Sequence, residues 1–69
     1  MDRTPVDSSN VVSIGHDPKT NTLEIEFRGG SVYQYHGVDK DKHAALLNAK
    51  SIGSHFHANI KNQHKFSKQ

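Results

Sequence analysis

The chain has no cysteine, no apolar run longer than the four residues from Ala44 to Leu47, and no acidic residue after Asp41. Without cysteine there are no disulfide staples and no thiolate metal sites, and the absence fits a reducing interior, so the cytoplasm is the expected compartment. The short apolar runs, with Asp2 and Asp7 among the first ten residues, leave nothing that reads as a signal peptide or a membrane span. The missing acids make the charge lopsided. Residues 1–42 carry five bases against all seven acids, whereas His43 to Gln69 hold four lysines and four of the six histidines. The second part is therefore +4 before any histidine is protonated, which the formal net charge of +2 conceals. Such an excess attracts phosphates or acidic surfaces at modest ionic strength, and it equally suits a solvated helical tail that keeps the protein soluble.

What is present suffices for one small core. At 69 residues there is room for a single domain that buries only about 60% of its unfolded surface. Residues 1–9 are polar and patternless, and read as a disordered arm. From Asn10, the alternation of Val12, Ile14 and His16 with Val11, Ser13 and Gly15 has the period of a strand with one face turned inward. Asp17-Pro18 opens a turn, and Leu23, Ile25 and Phe27 then alternate with Thr22, Glu24, Glu26 and Arg28, giving one apolar and one polar face. Gly29-Gly30 supplies the positive φ of a tight loop, and Ser31 to His36 resumes strand character, with Tyr33 and Tyr35 two apart.

A helix begins after Asp39, its expected N-cap, with Asp41 in the first turn and Lys50 near the end. Its positions His43, Leu46, Leu47 and Lys50 place both leucines on one stripe facing the sheet. Ser54 is the expected cap of a second helix, in which Phe56 and Ile60 sit one turn apart. If that helix persists, His57, Lys61, His64 and Lys68 form one basic stripe. The expected fold is α+β: a three-stranded antiparallel β-meander followed by two C-terminal helices packed on one face. It occupies residues 10–64, ends in a frayed basic tail at residues 65–69, and is expected to be a monomer.

The ordered set Ser9 to Gly15, Leu23 to Gly30, Tyr33-Gln34-Tyr35, Ala45-Leu46-Leu47 and Gly53-Ser54-His55-Phe56 resembles the KTSC domain over roughly residues 8–64. That family takes its name from the C-terminus of some lysyl-tRNA synthetases, and also occurs as a free-standing domain in bacteria and phages. The resemblance implies the fold and, through attachment to a tRNA-handling enzyme, RNA binding; it implies no reaction. The sequence departs from the family pattern at Asp39 and His43, where relatives carry proline and aromatic residues, and at His55, which stands in place of tyrosine before Phe56.

Tyr33 and Tyr35 share a strand face and could stack bases, or pack beneath a helix with their hydroxyls at the rim. Arg28, Lys50, His57, Lys61, His64, Lys65 and Lys68 are the candidate phosphate contacts, while Asn48, Asn59, Asn62 and Gln63 could read base edges or simply lie solvated. Six histidines raise the question of zinc, but His55 and His57 point about 200° apart on a helix and no carboxylate follows Asp41, so no metal or other cofactor is expected. Glu24 and Glu26 read as a solvated outer face rather than an acid–base pair, and no serine sits on a nucleophile elbow, so no enzymatic activity is expected. Two functions remain: a nucleic-acid-binding accessory module, RNA being the expected partner, or a module docking onto a larger bacterial or phage protein.

Overall fold

Leu23, Ile25 and Phe27 form the apolar face of a central strand, and the rest of the chain is arranged about it. In the computed structural model, which describes residues 1–69, the elements are β1 (Arg3–Pro5), β2 (Val11–Asp17), β3 (Thr22–Phe27), β4 (Val32–His36), α1 (Lys40–Leu47), α2 (Ile52–Asn59) and β5 (Phe66–Lys68). The five strands make one antiparallel sheet in the order β1-β2-β3-β4-β5. The sheet thus has five strands rather than the expected three. The two additions come from the segments read as a loose arm and a basic tail. Three residues are too few to show a period, and these strands exist because β2 and β4 offer otherwise unpaired edges.

One core unites the sheet and both helices: Val11, Ile14, Leu23, Ile25, Tyr35, Val38, Leu46, Ile52, Phe56 and Ile60 are all buried. Val11 and Ile14 lie three residues apart, which strict alternation would place on opposite faces. A register shift between Val11 and Ser13 puts an extra residue into β2, so both reach the core and Val12 stays half-buried. The expected uninterrupted alternation of Val12, Ile14 and His16 with Val11, Ser13 and Gly15 is corrected accordingly.

The opposite sheet face is not a solvated row of carboxylates. Glu24 is only 9% exposed. It accepts hydrogen bonds from Arg3 Nη1 at 2.9 Å and Gln34 Nε2 at 2.9 Å. Glu26 accepts from Ser13 Oγ at 2.9 Å and lies 3.7 Å from Arg3 Nη2. Arg3 reaches these acids by crossing Gly15, where a Cβ would stand 2.6 Å from the Asp2 carbonyl oxygen and 3.0 Å from Arg3 Cγ. Glycine is needed there for close approach, and the acids predicted to face water instead bind β1 to the sheet.

Turn chemistry follows the residue types. Asp17 Oδ1 accepts the Lys19 amide at 3.0 Å, Asn21 takes φ 53°, and Gly29 and Gly30 take φ 97° and 94° in the β3–β4 loop. Asp39 caps α1 as expected, accepting the Lys42 amide at 2.9 Å. Only one of the two leucines faces inward, however: Leu46 is fully buried, whereas Leu47 is exposed. Neighbouring helix positions lie about 100° apart, and an eight-residue helix resting on the core by a narrow stripe cannot bury both.

Ser51, not Ser54, caps α2, its hydroxyl accepting the Ser54 amide at 3.3 Å. The helix then stops at Asn59. Ile60 is drawn into the core, both Ile60 and Lys61 amides donate to the Phe56 carbonyl, and the chain turns back to pair β5 with β4. The basic helical stripe of His57, Lys61, His64 and Lys68 therefore does not form.

Against α1, His16 Nε2 donates to the Val38 carbonyl at 2.6 Å, and the His43 ring stacks on His16 at 4.6 Å with 16° between planes. Burial first, and the neighbouring His16 second, hold the His43 imidazole below its ordinary pKa. The folded chain therefore takes up this proton less readily than the unfolded one. The pair's full stability is present above about pH 6.5 and is lost as pH falls through the lower folded value. Thermal melts followed by circular dichroism should give a lower Tm at about pH 5 than at about pH 7.5, and His43→Phe, which keeps the stack without the proton, should shrink that difference. An equal drop in the variant would remove His43 as its source.

Candidate functional site

All five phenylalanines and tyrosines of the chain gather in one place, although they are scattered from Phe27 to Phe66 in sequence. The sheet positions most of them. Phe27 ends β3, Tyr33 and Tyr35 lie on β4, and the β4–β5 register sets Phe66 opposite Tyr35 and Lys68 opposite Tyr33. Residues opposite each other in antiparallel strands share a face, so Phe66 and Lys68 stand on the tyrosine side. Phe56 comes from α2, its ring 5.1 Å from that of Tyr35 and 5.5 Å from that of Phe27. Phe66 lies 5.7 Å from Tyr33 and 5.6 Å from Tyr35, yet is 56% exposed.

These rings floor an open groove of about 440 Å³, whose rim is completed by Ser31, His57, Lys61 and Asn62. No acidic residue lines it. The two carboxylates of β3, Glu24 and Glu26, are on the other sheet face and engaged with Arg3. Burial, then the adjacent Tyr33, raises the Tyr35 phenol above its ordinary pKa, so it remains a neutral donor at physiological pH. The sheet is thus aromatic and cationic on the groove side and carries its acids behind.

Of the candidate residues, the structure brings Tyr33, Tyr35, His57 and Lys61 to the groove, with Lys68 beside Tyr33 at the sheet edge. The others are elsewhere. Arg28 donates to the carbonyls of Ser9 at 2.7 Å and Ser8 at 3.2 Å, tying the β3–β4 loop to the chain before β2. Lys50 lines a separate small polar cleft with Asp7, Ser8 and Ser9. His64 Nδ1 donates to the His36 carbonyl at 2.9 Å and its Nε2 meets Lys42 Nζ at 3.0 Å, so it holds the returning chain. Lys65 is exposed and contributes its carbonyl to the His36 amide.

Phe27, Ser31, Phe56 and Phe66 are site residues that sequence patterns did not single out. Phe27 and Phe56 carried an ordinary core signal, and Phe66 lay in an apparent tail; alternation in Phe66-Ser67-Lys68 was its only trace. Among the ionisable side chains, no group of three or more gathers in a way that could hold a metal ion, and no helix is long and apolar enough to cross a membrane.

The comparisons with known proteins agree with this architecture. The chain is 42% identical over 64 residues to an uncharacterised protein of Stutzerimonas stutzeri, covering 93% of this chain and 90% of that one. It is also 42% identical over 60 residues to a lysine–tRNA ligase of Nostoc punctiforme, covering 87% of this chain but only 11% of the ligase. The crystal structure of a KTSC domain protein from Yersinia pestis superposes with a TM-score of 0.94 at 42% identity, over 99% of this chain and 96% of that one. With the KTSC domain matched over residues 7–66, the chain belongs to the KTSC domain family.

Proposed function

We propose that this protein is a binding module for single-stranded RNA, which stacks an unpaired base in the aromatic groove and holds the adjoining phosphates with Lys61, Lys68 and His57. One observation carries the reading: five aromatic rings meet a cationic rim without any acid in one open groove, and the polar side chains around it are free to bind. The hydroxyls of Ser31, Tyr33 and Tyr35, the amide of Asn62, the imidazole of His57 and the ammonium of Lys61 form no hydrogen bond within the chain. Elsewhere His16, His36, His64, Arg3, Arg28 and Gln34 are engaged, whereas Lys19, Lys40, Lys50, Lys65, His43 and His55 also form no side-chain hydrogen bond but lie off the aromatic floor.

Aromatic faces suit any base, and a cationic rim free of carboxylates suits the backbone that accompanies it. The occurrence of the domain within lysine–tRNA ligases supports an RNA partner. Catalysis is not part of the proposal.

The test is a titration of labelled, mixed-sequence single-stranded RNA, followed by amide chemical shifts at low salt and by fluorescence anisotropy between about 50 and 200 mM salt. Shifts should concentrate at Ser31, Tyr33, His57 to Asn62 and β5. Replacing Lys61 and Lys68 by glutamine should lower the salt slope by about 0.7 for each phosphate left without its cation. No shifts at low salt would end the reading.

A second reading rests on the open edge of β5, the last strand of the sheet, which could accept an extended peptide beside Phe66. It predicts shifts along β5 that a competing RNA leaves unchanged.

A further inference from the structure

We infer that His64 is a positioning residue for the groove: its imidazole latches β5 to the rest of the fold, and RNA affinity depends on that latch although His64 does not touch the RNA. The inference rests on the RNA reading above and adds what keeps its site in shape. Beyond Ile60 the chain has little to anchor it. Residues 61–69 are all exposed except the half-buried His64, and β5 sends no apolar side chain into the core. Yet Phe66 of the groove and Lys68 beside Tyr33 both belong to this strand.

The latch closes on a tightly held corner. Between β4 and α1, Val38 is fully buried, its amide donates to the Asn21 carbonyl at 2.8 Å, and its carbonyl accepts from His16 Nε2 at 2.6 Å. Beside this corner His64 Nδ1 meets the His36 carbonyl at 2.9 Å, and His64 Nε2 meets the Lys42 ammonium at 3.0 Å. The two partners fix the tautomer. A carbonyl oxygen only accepts, so Nδ1 carries the proton; an ammonium only donates, so Nε2 is bare. No carboxylate pairs with Lys42, both ion pairs of the chain being made by Arg3, so the imidazole is its one side-chain partner. One ring therefore ties the chain, two residues before Phe66, to β4 and α1 together. Since the binding-competent groove needs β5 in place, affinity falls with the fraction of molecules in which that strand is docked.

The test reads β5 and RNA separately in His64→Ala, His64→Gln and Lys42→Met, with Lys40→Met as the control for a lost charge, since Lys40 is an exposed neighbour on α1 without an ion pair. Amide hydrogen exchange is followed at His36 and Gln69, which bond across β4 and β5 to the Lys65 and Val32 carbonyls. It should quicken about tenfold in His64→Ala and about threefold in Lys42→Met. Mixed-sequence single-stranded RNA should bind both variants more weakly, by about threefold or more for His64→Ala, in anisotropy titrations. Glutamine also sets a donor beside an acceptor, so His64→Gln should recover most of the protection and the affinity. Lys40→Met should leave exchange unchanged and cost less affinity than Lys42→Met. Long-range proton–nitrogen correlations of the unaltered protein should show the His64 proton on Nδ1, and circular dichroism checks that every variant folds.

Unchanged exchange in His64→Ala, or a proton on Nε2 alone, overturns the latch. Faster exchange with unchanged RNA affinity overturns its role in the groove and leaves the RNA reading intact. Equal losses in Lys40→Met and Lys42→Met overturn the part given to Lys42. If the unaltered protein binds no RNA, the RNA reading falls and the groove's dependence on the latch falls with it, while the exchange rates still decide whether His64 seats β5.

Discussion

Phe66→Ala is expected to weaken single-stranded RNA binding by about 5- to 150-fold, the equivalent of about 1–3 kcal/mol for the loss of one base stack. The fold should barely register the change. Phe66 is 56% exposed and belongs to a three-residue edge strand, so little apolar surface returns to water when its ring is removed. The strand is held by main-chain bonds that do not involve the ring: the His36 amide to the Lys65 carbonyl at 2.8 Å and the Gln69 amide to the Val32 carbonyl at 2.7 Å. A loss of affinity without a loss of stability is what separates a ligand platform from a core residue. Anisotropy titrations and thermal melts of the same variant measure the two quantities, and Phe66→Leu adds a control that keeps apolar area but removes the π face. Unchanged RNA affinity in both variants would remove the β5 side of the groove from the site.

Phe56→Ala should have the opposite profile, with a loss of about 3–5 kcal/mol in stability. The ring is 2% exposed and packs against Phe27 from the sheet end and Tyr35 from β4, so it joins α2 to the floor of the groove. Small domains of this size retain a net stability at the low end of about 5–15 kcal/mol, so the variant should be largely unfolded near physiological temperature. At about 4–8 °C per kcal/mol for a chain of this length, its Tm should fall by more than about 12 °C. Circular dichroism melts measure this directly. A fall of less than about 4 °C would mean that α2 is anchored by Ile52 and Ile60 alone. Phe56→Leu, which keeps most of the volume, should recover much of the stability.

The contrast between these two phenylalanines also marks how far the amino-acid sequence could be read. Alternation at Leu23, Ile25 and Phe27, the glycine pair after Arg28, the Asp39 cap and the Phe56–Ile60 spacing are local signals. Each reports on neighbours a few residues away, and each corresponds to an element of the fold. Tyr33 and Tyr35 were legible as a pair on one face for the same reason. The family resemblance added the order of elements and an association with tRNA ligases.

What remained illegible depends on residues distant in the chain. The β1 and β5 strands are too short to carry a period, and they exist because two sheet edges were open to receive them. Glu24 and Glu26 alternate as surface acids do, and only the arrival of Arg3 over Gly15 makes them part of a packed network. The end of α2 was set by the burial of Ile60 and the return of the chain to β4, so the lysines that helical spacing would have aligned are dispersed, with Lys61 and Lys68 left near the aromatic rings. Composition and periodicity thus determined which segments became the longer strands and the helices, and that the C-terminal part is cationic. The aromatic groove was decided by tertiary structure alone, because its residues run from Phe27 to Phe66 and meet only through strand register and helix packing.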